Sequence, residues 1–231
     1  MHGEPQRAAA DGVLEIEEDR CVVRFERFLA HPVEDVWRAL TEPRQLARWW
    51  GEAKVDLVRG GQFVMRWLNT DDEGSAAVMH GTITAIEPLR LLEISADIHG
   101  VLCFTLSPQA AGTRVRFSST LKLPDEFRTK VLAGWHFHLD ALATVLSGGA
   151  TDLVGLSGFG RIHERYLWSA GETDPNLGDH GSAFSRRRHG GGERDLGGSA
   201  RRAGGTAGAG EPTYGYQLRD QQSVYRRQRI R

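Results

Sequence analysis

Phe127, Val131, Trp135, His138, Leu142 and Val145 step by 4, 4, 3, 4 and 3 residues. That spacing places all six on one face of a single α-helix. Pro124-Asp125 opens the segment and Gly148-Gly149 closes it, glycine being the usual residue just past a helix end. Leu139 and Leu146 widen the stripe. A helix over 126–147 runs about 33 Å at 1.5 Å per residue. A helix of that length needs a broad apolar partner, and it can cross an entire sheet.

The chain before it supplies such a partner. Val13 to Leu29 is rich in Val, Ile and Phe and reads as one strand. Cys21, Val23 and Phe25 share a face, but Arg27 falls on it too; a bulge and an edge position both account for that. Pro32 starts a helix carrying Val33, Val36, Trp37 and Leu40, and Pro43 starts a shorter one carrying Leu46, Trp49 and Trp50. Six extended segments follow, over 54–58, 63–68, 77–86, 91–96, 101–106 and 113–123, separated by turn-forming residues. Among them Phe63, Met65 and Trp67 alternate with Val64, Arg66 and Leu68. Asn69 to Ser75 and Asp97 to Gly100 read as polar turns. The expected architecture is α+β: a curved antiparallel sheet of about seven strands, wrapped on a long C-terminal helix.

The ends differ from the middle. Residues 1–12 read as a disordered lead without the apolar run of a signal peptide. Residues 13–168 read as the folded domain, with one or two helical turns over 161–168. Residues 169–231 read as a disordered Gly/Arg-rich tail, since 171–231 hold 13 Gly and 11 Arg but few large apolar residues. Net charge is −1, and the tail carries the basic excess, so the folded part has no basic face for specific nucleic-acid binding. No apolar run is long enough for a membrane span. Cys21 and Cys103 lie far apart and read as reduced thiols in strands. A cytoplasmic location follows, and a homodimer stays open.

The order of elements and several local motifs resemble the SRPBCC/START-like superfamily, in its Activator of Hsp90 ATPase homologue branch. Ala30-His31-Pro32 through Val36-Trp37-Arg38-Ala39-Leu40-Thr41-Glu42-Pro43 is similar to the family's opening, and Leu46-Ala47-Arg48-Trp49-Trp50 to the motif that follows it. Gly60-Gly61-Gln62-Phe63, the stretch His80-Gly81-Thr82-Ile83 to Leu91, Gly112-Thr113-Arg114-Val115 and the helical stretch Gly134-Trp135 to Leu142 continue the likeness over roughly 22–148. The resemblance implies a helix-grip (START/Bet v 1-like) fold with an apolar cavity between sheet and helix. It does not by itself assign a function.

Candidate ligand-binding residues are Phe63, Met65, Trp67, Met79, Phe104, Phe117, Trp135, His138 and Leu142. Trp offers a flat ring with an N–H, and Met adapts to irregular shapes. The plain alternative is that the same side chains simply fill the core. His138 is the candidate polar anchor, and the acid/base if the protein is an enzyme; His136, on the other face of the helix, should be exposed. His136 and Asp140 give only two ligands at metal-site spacing, so no metal is expected, nor any cofactor. No nucleophile elbow or zinc-protease motif occurs. Arg66 and Glu93 are the pair a cyclase would use, while Arg24, Glu26 and Arg27 read as a solvated strand face.

The leading expectation is a non-catalytic domain that binds a small hydrophobic or aromatic ligand. A polyketide cyclase/aromatase-like enzyme using the same cavity is the first alternative. An Hsp90-activator-like protein-interaction domain is the second.

Overall fold

The structure, a computed structural model, describes residues 11–170 apart from 72 and 98. The expected disorder of residues 1–10 and 171–231 lies outside the described residues. In chain order the elements are β1 (Val13–Glu17), β2 (Arg20–Leu29), α1 (Val33–Thr41), α2 (Pro43–Trp49), β3 (Glu52–Val55), β4 (Gln62–Thr70) and β5 (Ala76–Glu87). They continue with β6 (Leu91–Ala96), β7 (Gly100–Gln109), β8 (Gly112–Leu121), a 3-10 turn (Asp125–Phe127), α3 (Arg128–Leu146) and α4 (Phe159–Ala170).

One antiparallel sheet of 8 strands runs β1-β2-β8-β7-β6-β5-β4-β3. The strands from β3 to β8 form a meander, since each pairs with its neighbour in sequence. The sheet curves around α3 in the helix-grip arrangement. Buried residues alternate along β4 (Phe63, Met65, Trp67, Asn69) and along β8 (Thr113, Val115, Phe117, Ser119, Leu121). That period of two puts one face on the core. Trp49 donates its indole N–H to the Ala39 carbonyl at 2.8 Å, which holds α2 against α1.

Three expectations need correction. The segment Val13–Leu29 is two strands, joined by a turn at Glu18-Asp19, with Glu18 at a φ of 56°. Neither residue is Gly, Asn or Pro, so the strongest turn signals are missing. Next, β2 has no bulge, and from Val23 to Leu29 its buried and exposed residues alternate strictly. It pairs with β8 in one unbroken register, from Cys21 opposite Leu121 to Leu29 opposite Thr113. Arg27 therefore points inward and is 5% exposed, unlike Arg24 and Glu26, which are exposed and ion-paired. Its guanidinium lies 3.4 Å from Asp140 on α3 and 5.1 Å from the centre of the Phe25 ring.

Finally, the short helical turns expected over 161–168 are a 12-residue helix, α4. Its Phe159 and Tyr166 are buried, and Ile162 packs beside them. This helix covers the face of α3 that the stripe leaves open. His136 is consequently buried rather than exposed.

Gly100, at the start of β7, has φ +65°, and a Cβ there would lie 2.1 Å from the Thr120 carbonyl oxygen. Gly148, past α3, has φ +84° with nothing within 4 Å. Gly100→Ala should therefore cost roughly 3 kcal/mol and Gly148→Ala about 1 kcal/mol in urea denaturation. Equal losses at the two positions would show that strain, and not the close approach, sets the cost. Among the described residues no helix is long and apolar enough to cross a membrane.

Candidate functional site

Trp135 stands at the centre of the space between sheet and α3. Its ring lies 4.2 Å from Phe117, 5.2 Å from Trp50, 5.3 Å from His99, 6.2 Å from His138 and 6.4 Å from Phe104, centre to centre. Phe104 and Phe117 face each other across β7 and β8, 4.7 Å apart. Met65 and Met79 do the same across β4 and β5. Trp67 reaches the group through His99, at 5.4 Å.

The nine residues anticipated from the sequence (Phe63, Met65, Trp67, Met79, Phe104, Phe117, Trp135, His138 and Leu142) are all buried. All except His138 belong to one hydrophobic cluster. Arg66 and Glu93 are not brought into it. Arg66 bonds Glu52 on the outer face at 3.2 Å, and Glu93 accepts a hydrogen bond from Thr84 at 2.6 Å.

Three interior residues were not foreseen: Trp50, Asn69 and His99. From the sequence Trp50 reads as the last residue of α2, with no sign of a site role. Asn69 continues the odd-numbered inward face of β4 by one more step, and its polarity made it read as loop. His99 sits in the turn between β6 and β7, where a polar residue is unremarkable.

The interior holds several polar atoms. The indole N–H groups of Trp50, Trp67 and Trp135 are buried without a hydrogen-bond partner among the described residues. The same is true of both polar atoms of the Asn69 amide and both ring nitrogens of His99. Buried polar groups are nearly always hydrogen-bonded, to protein, water or ligand, and leaving one unmet costs about 1–3 kcal/mol.

His138 is fixed differently. Its Nδ1 lies 3.0 Å from the Trp49 carbonyl oxygen. A carbonyl only accepts, so Nδ1 carries the proton and Nε2 is the acceptor nitrogen of the neutral ring. Burial pushes its pKa down to about 4, against the pull of the Trp49 carbonyl. Burial, with a smaller contribution from His138, pushes His99 down to about 3. Both rings are neutral at neutral pH. They are hydrogen-bonding groups there, and poorly matched to general acid–base work, which favours a pKa near the working pH.

A second polar cluster lies on the far side of α3. His136 Nδ1 is 2.7 Å from the Tyr166 hydroxyl, and its Nε2 is 3.1 Å from Asp140. The Gly12 N–H donates to the same hydroxyl at 2.8 Å, and Arg165 pairs with Asp11 at 2.8 Å. Burial works against ionised Asp140, yet the His136 and Arg27 side chains outweigh it and hold the carboxyl below its usual range. This cluster ties the two residues before β1 to β2, α3 and α4. An open cavity of about 280 Å³ lies elsewhere, between α2, the end of α3 and residues 149–154. None of the nine anticipated residues lines it. Among the described residues no group of three or more His, Cys, Asp or Glu side chains could hold a metal ion.

The family model for Activator of Hsp90 ATPase homolog 1-like proteins matches residues 30–147, just over half of the 231. The chain belongs to that family. Among solved structures it resembles a conserved protein of unknown function from Enterococcus faecalis, with a TM-score of 0.55 and 24% identity over 69% of this chain and 90% of that one. It is also similar to CalU16 from Micromonospora echinospora, at 26% identity over 65% of this chain and 86% of that one, with a TM-score of 0.49. A protein from Mesorhizobium loti matches at 26% identity over 57% of this chain and 99% of that one, with a TM-score of 0.48. No curated protein matches the sequence. The Enterococcus likeness bears on the fold of this Activator of Hsp90 ATPase homolog 1-like domain and on nothing further.

Proposed function

We propose that the domain binds a small hydrophobic or aromatic molecule between the concave face of the sheet and α3, without catalysing a reaction on it. One observation carries the reading. The indole N–H groups of Trp50, Trp67 and Trp135 are buried in a ring-lined interior, without a partner among the described residues. A core built only to pack would use Phe or Leu at such places, because neither brings a polar atom that must be met. Binding sites for small molecules combine apolar and aromatic walls with a few polar groups that orient the ligand. Met65 and Met79 supply adaptable walls, and His138 is the polar anchor, its proton held at Nδ1 by the Trp49 carbonyl.

Native mass spectrometry on protein isolated from cell extract tests this. Wild type is expected to carry a small molecule. Trp135→Phe, which keeps a ring and removes the N–H, and His138→Ala are each expected to lose at least about tenfold in occupancy, the equivalent of one 1.4 kcal/mol contact. A folded wild type that carries nothing would overturn the reading.

A further inference from the structure

The interior has a polar end. Asn69 is the last inward residue of β4 and is 1% exposed; His99, in the β6–β7 turn, is 1% exposed. Both flank Trp67. Asn69 lies two residues along the same strand face, about 7 Å away at strand spacing. The His99 ring lies 5.4 Å from the Trp67 ring. The main chain of this turn is already committed: the His99 carbonyl accepts from the Ser119 hydroxyl at 2.9 Å, and the Asp97 N–H donates to the His80 carbonyl at 3.0 Å. The Asn69 and His99 side chains are not so committed. Both amide atoms of Asn69 and both nitrogens of His99 are buried without a partner among the described residues.

We infer that this end receives a neutral group offering both a hydrogen-bond donor and an acceptor, such as a carboxamide or a phenol, on an aromatic ligand. The inference rests on the binding reading above and adds the ligand's chemical class.

Two features select it. An amide presents a carbonyl and an N–H₂ side by side, so its complement is another donor–acceptor pair. The surroundings also disfavour a carboxylate. His99 is neutral at neutral pH, so it offers no positive charge. Just past the end of β4 is Asp71, a buried acid whose carboxylate accepts from the Glu73 and Ser75 N–H groups at 3.0 and 2.8 Å. An anionic ligand would give up its hydration there with no positive charge from His99 to offset the loss.

The test is isothermal titration calorimetry on the full chain with naphthalene, 2-naphthamide and 2-naphthoate as probes, for wild type, Asn69→Leu and His99→Leu. In wild type, 2-naphthamide is expected to bind at least about tenfold more tightly than either of the others. Each variant should abolish that preference and leave naphthalene binding within about twofold. Leucine is close to Asn in shape and brings no polar atom, so Asn69→Leu should also raise the ligand-free melting temperature by roughly 2–4 °C.

Equal affinity for naphthalene and 2-naphthamide in wild type would overturn the polar end while leaving the binding site standing. A lowered melting temperature in Asn69→Leu, with the preference intact, would also overturn it, because Asn69 would then be structural. If none of the three probes binds and the protein from cell extract is empty, the binding reading falls, and this inference falls with it.

Discussion

Trp135→Ala is expected to lower the stability of the domain by about 3–5 kcal/mol, the usual cost of deleting a buried large aromatic. For a domain of this size that is a fall of roughly 6–20 °C in melting temperature. Trp135 is 1% exposed and lies within ring contact of Phe104, Phe117, Trp50, His99 and His138. The five neighbours belong to five different parts of the fold (β7, β8, the end of α2, the β6–β7 turn and α3 itself), so the gap cannot close by moving one of them. Trp168, on α4, is 82% exposed, and Trp168→Ala should change stability by no more than about 0.5 kcal/mol. Indole added at millimolar concentration should restore part of the lost stability of Trp135→Ala, because an apolar gap lined by rings binds a ligand of the missing shape. Trp135→Phe should cost far less than alanine, since the smaller ring leaves a smaller gap and removes a buried N–H with no partner among the described residues. Differential scanning calorimetry on the three variants checks all of this. A loss under 1 kcal/mol for Trp135→Ala would mean that the ring packs loosely and that the interior is plastic.

The pattern that leads to Trp135 is readable in the sequence because one period decides it. Residues stepping by three and four must share a helix face, so Trp135, His138 and Leu142 were bound to point the same way. The inward set on β4, Phe63, Met65 and Trp67, follows as directly from alternation. What failed was what depends on a neighbour far along the chain. His136 is on the face opposite the stripe, and Phe25 on β2 and Tyr166 on α4, both far along the chain, bury it. Arg27 was read as surface because it is charged, but the register with β8 turns it inward, toward Asp140. The turn at Glu18-Asp19 needed a positive φ from a glutamate, a choice no local signal announces. Asn69 was the avoidable miss. Extending the β4 alternation by one position predicts it inward, and polarity alone argued otherwise. His99 had no signal, because a histidine beside a turn glycine is ordinary, and its burial comes from Trp67 and Trp135 closing over it.

Mild acid is expected to destabilise the protein steeply, and the two buried imidazoles set the window. In the unfolded chain both titrate near 6.5; in the folded protein burial pushes His138 down to about 4 and His99 to about 3. Between these values the unfolded chain takes up protons that the native state refuses. Stability is therefore fully present above about pH 6.5 and falls as the pH drops toward 4 and then 3. At 1.36 kcal/mol per pKa unit, His138 alone accounts for about 3 kcal/mol once the pH is below 4. With His99 the loss is comparable to the whole stability of an ordinary domain, about 5–15 kcal/mol. Asp140 pulls in the same direction but later: its carboxyl is held below its unfolded value of 3.8, so its contribution is lost only in stronger acid. Near pH 5 the histidines act alone among these three, and unfolding should take up close to two protons, a slope of about 2.7 kcal/mol per pH unit. Urea denaturation at pH 7.0, 6.0, 5.5 and 5.0 measures it. His99→Leu and His138→Leu should each flatten the slope by about one proton, and the double variant by about two. A double variant as acid-sensitive as wild type would place the titrating groups elsewhere. It would also remove the ground for treating these rings as neutral hydrogen-bonding partners of a ligand.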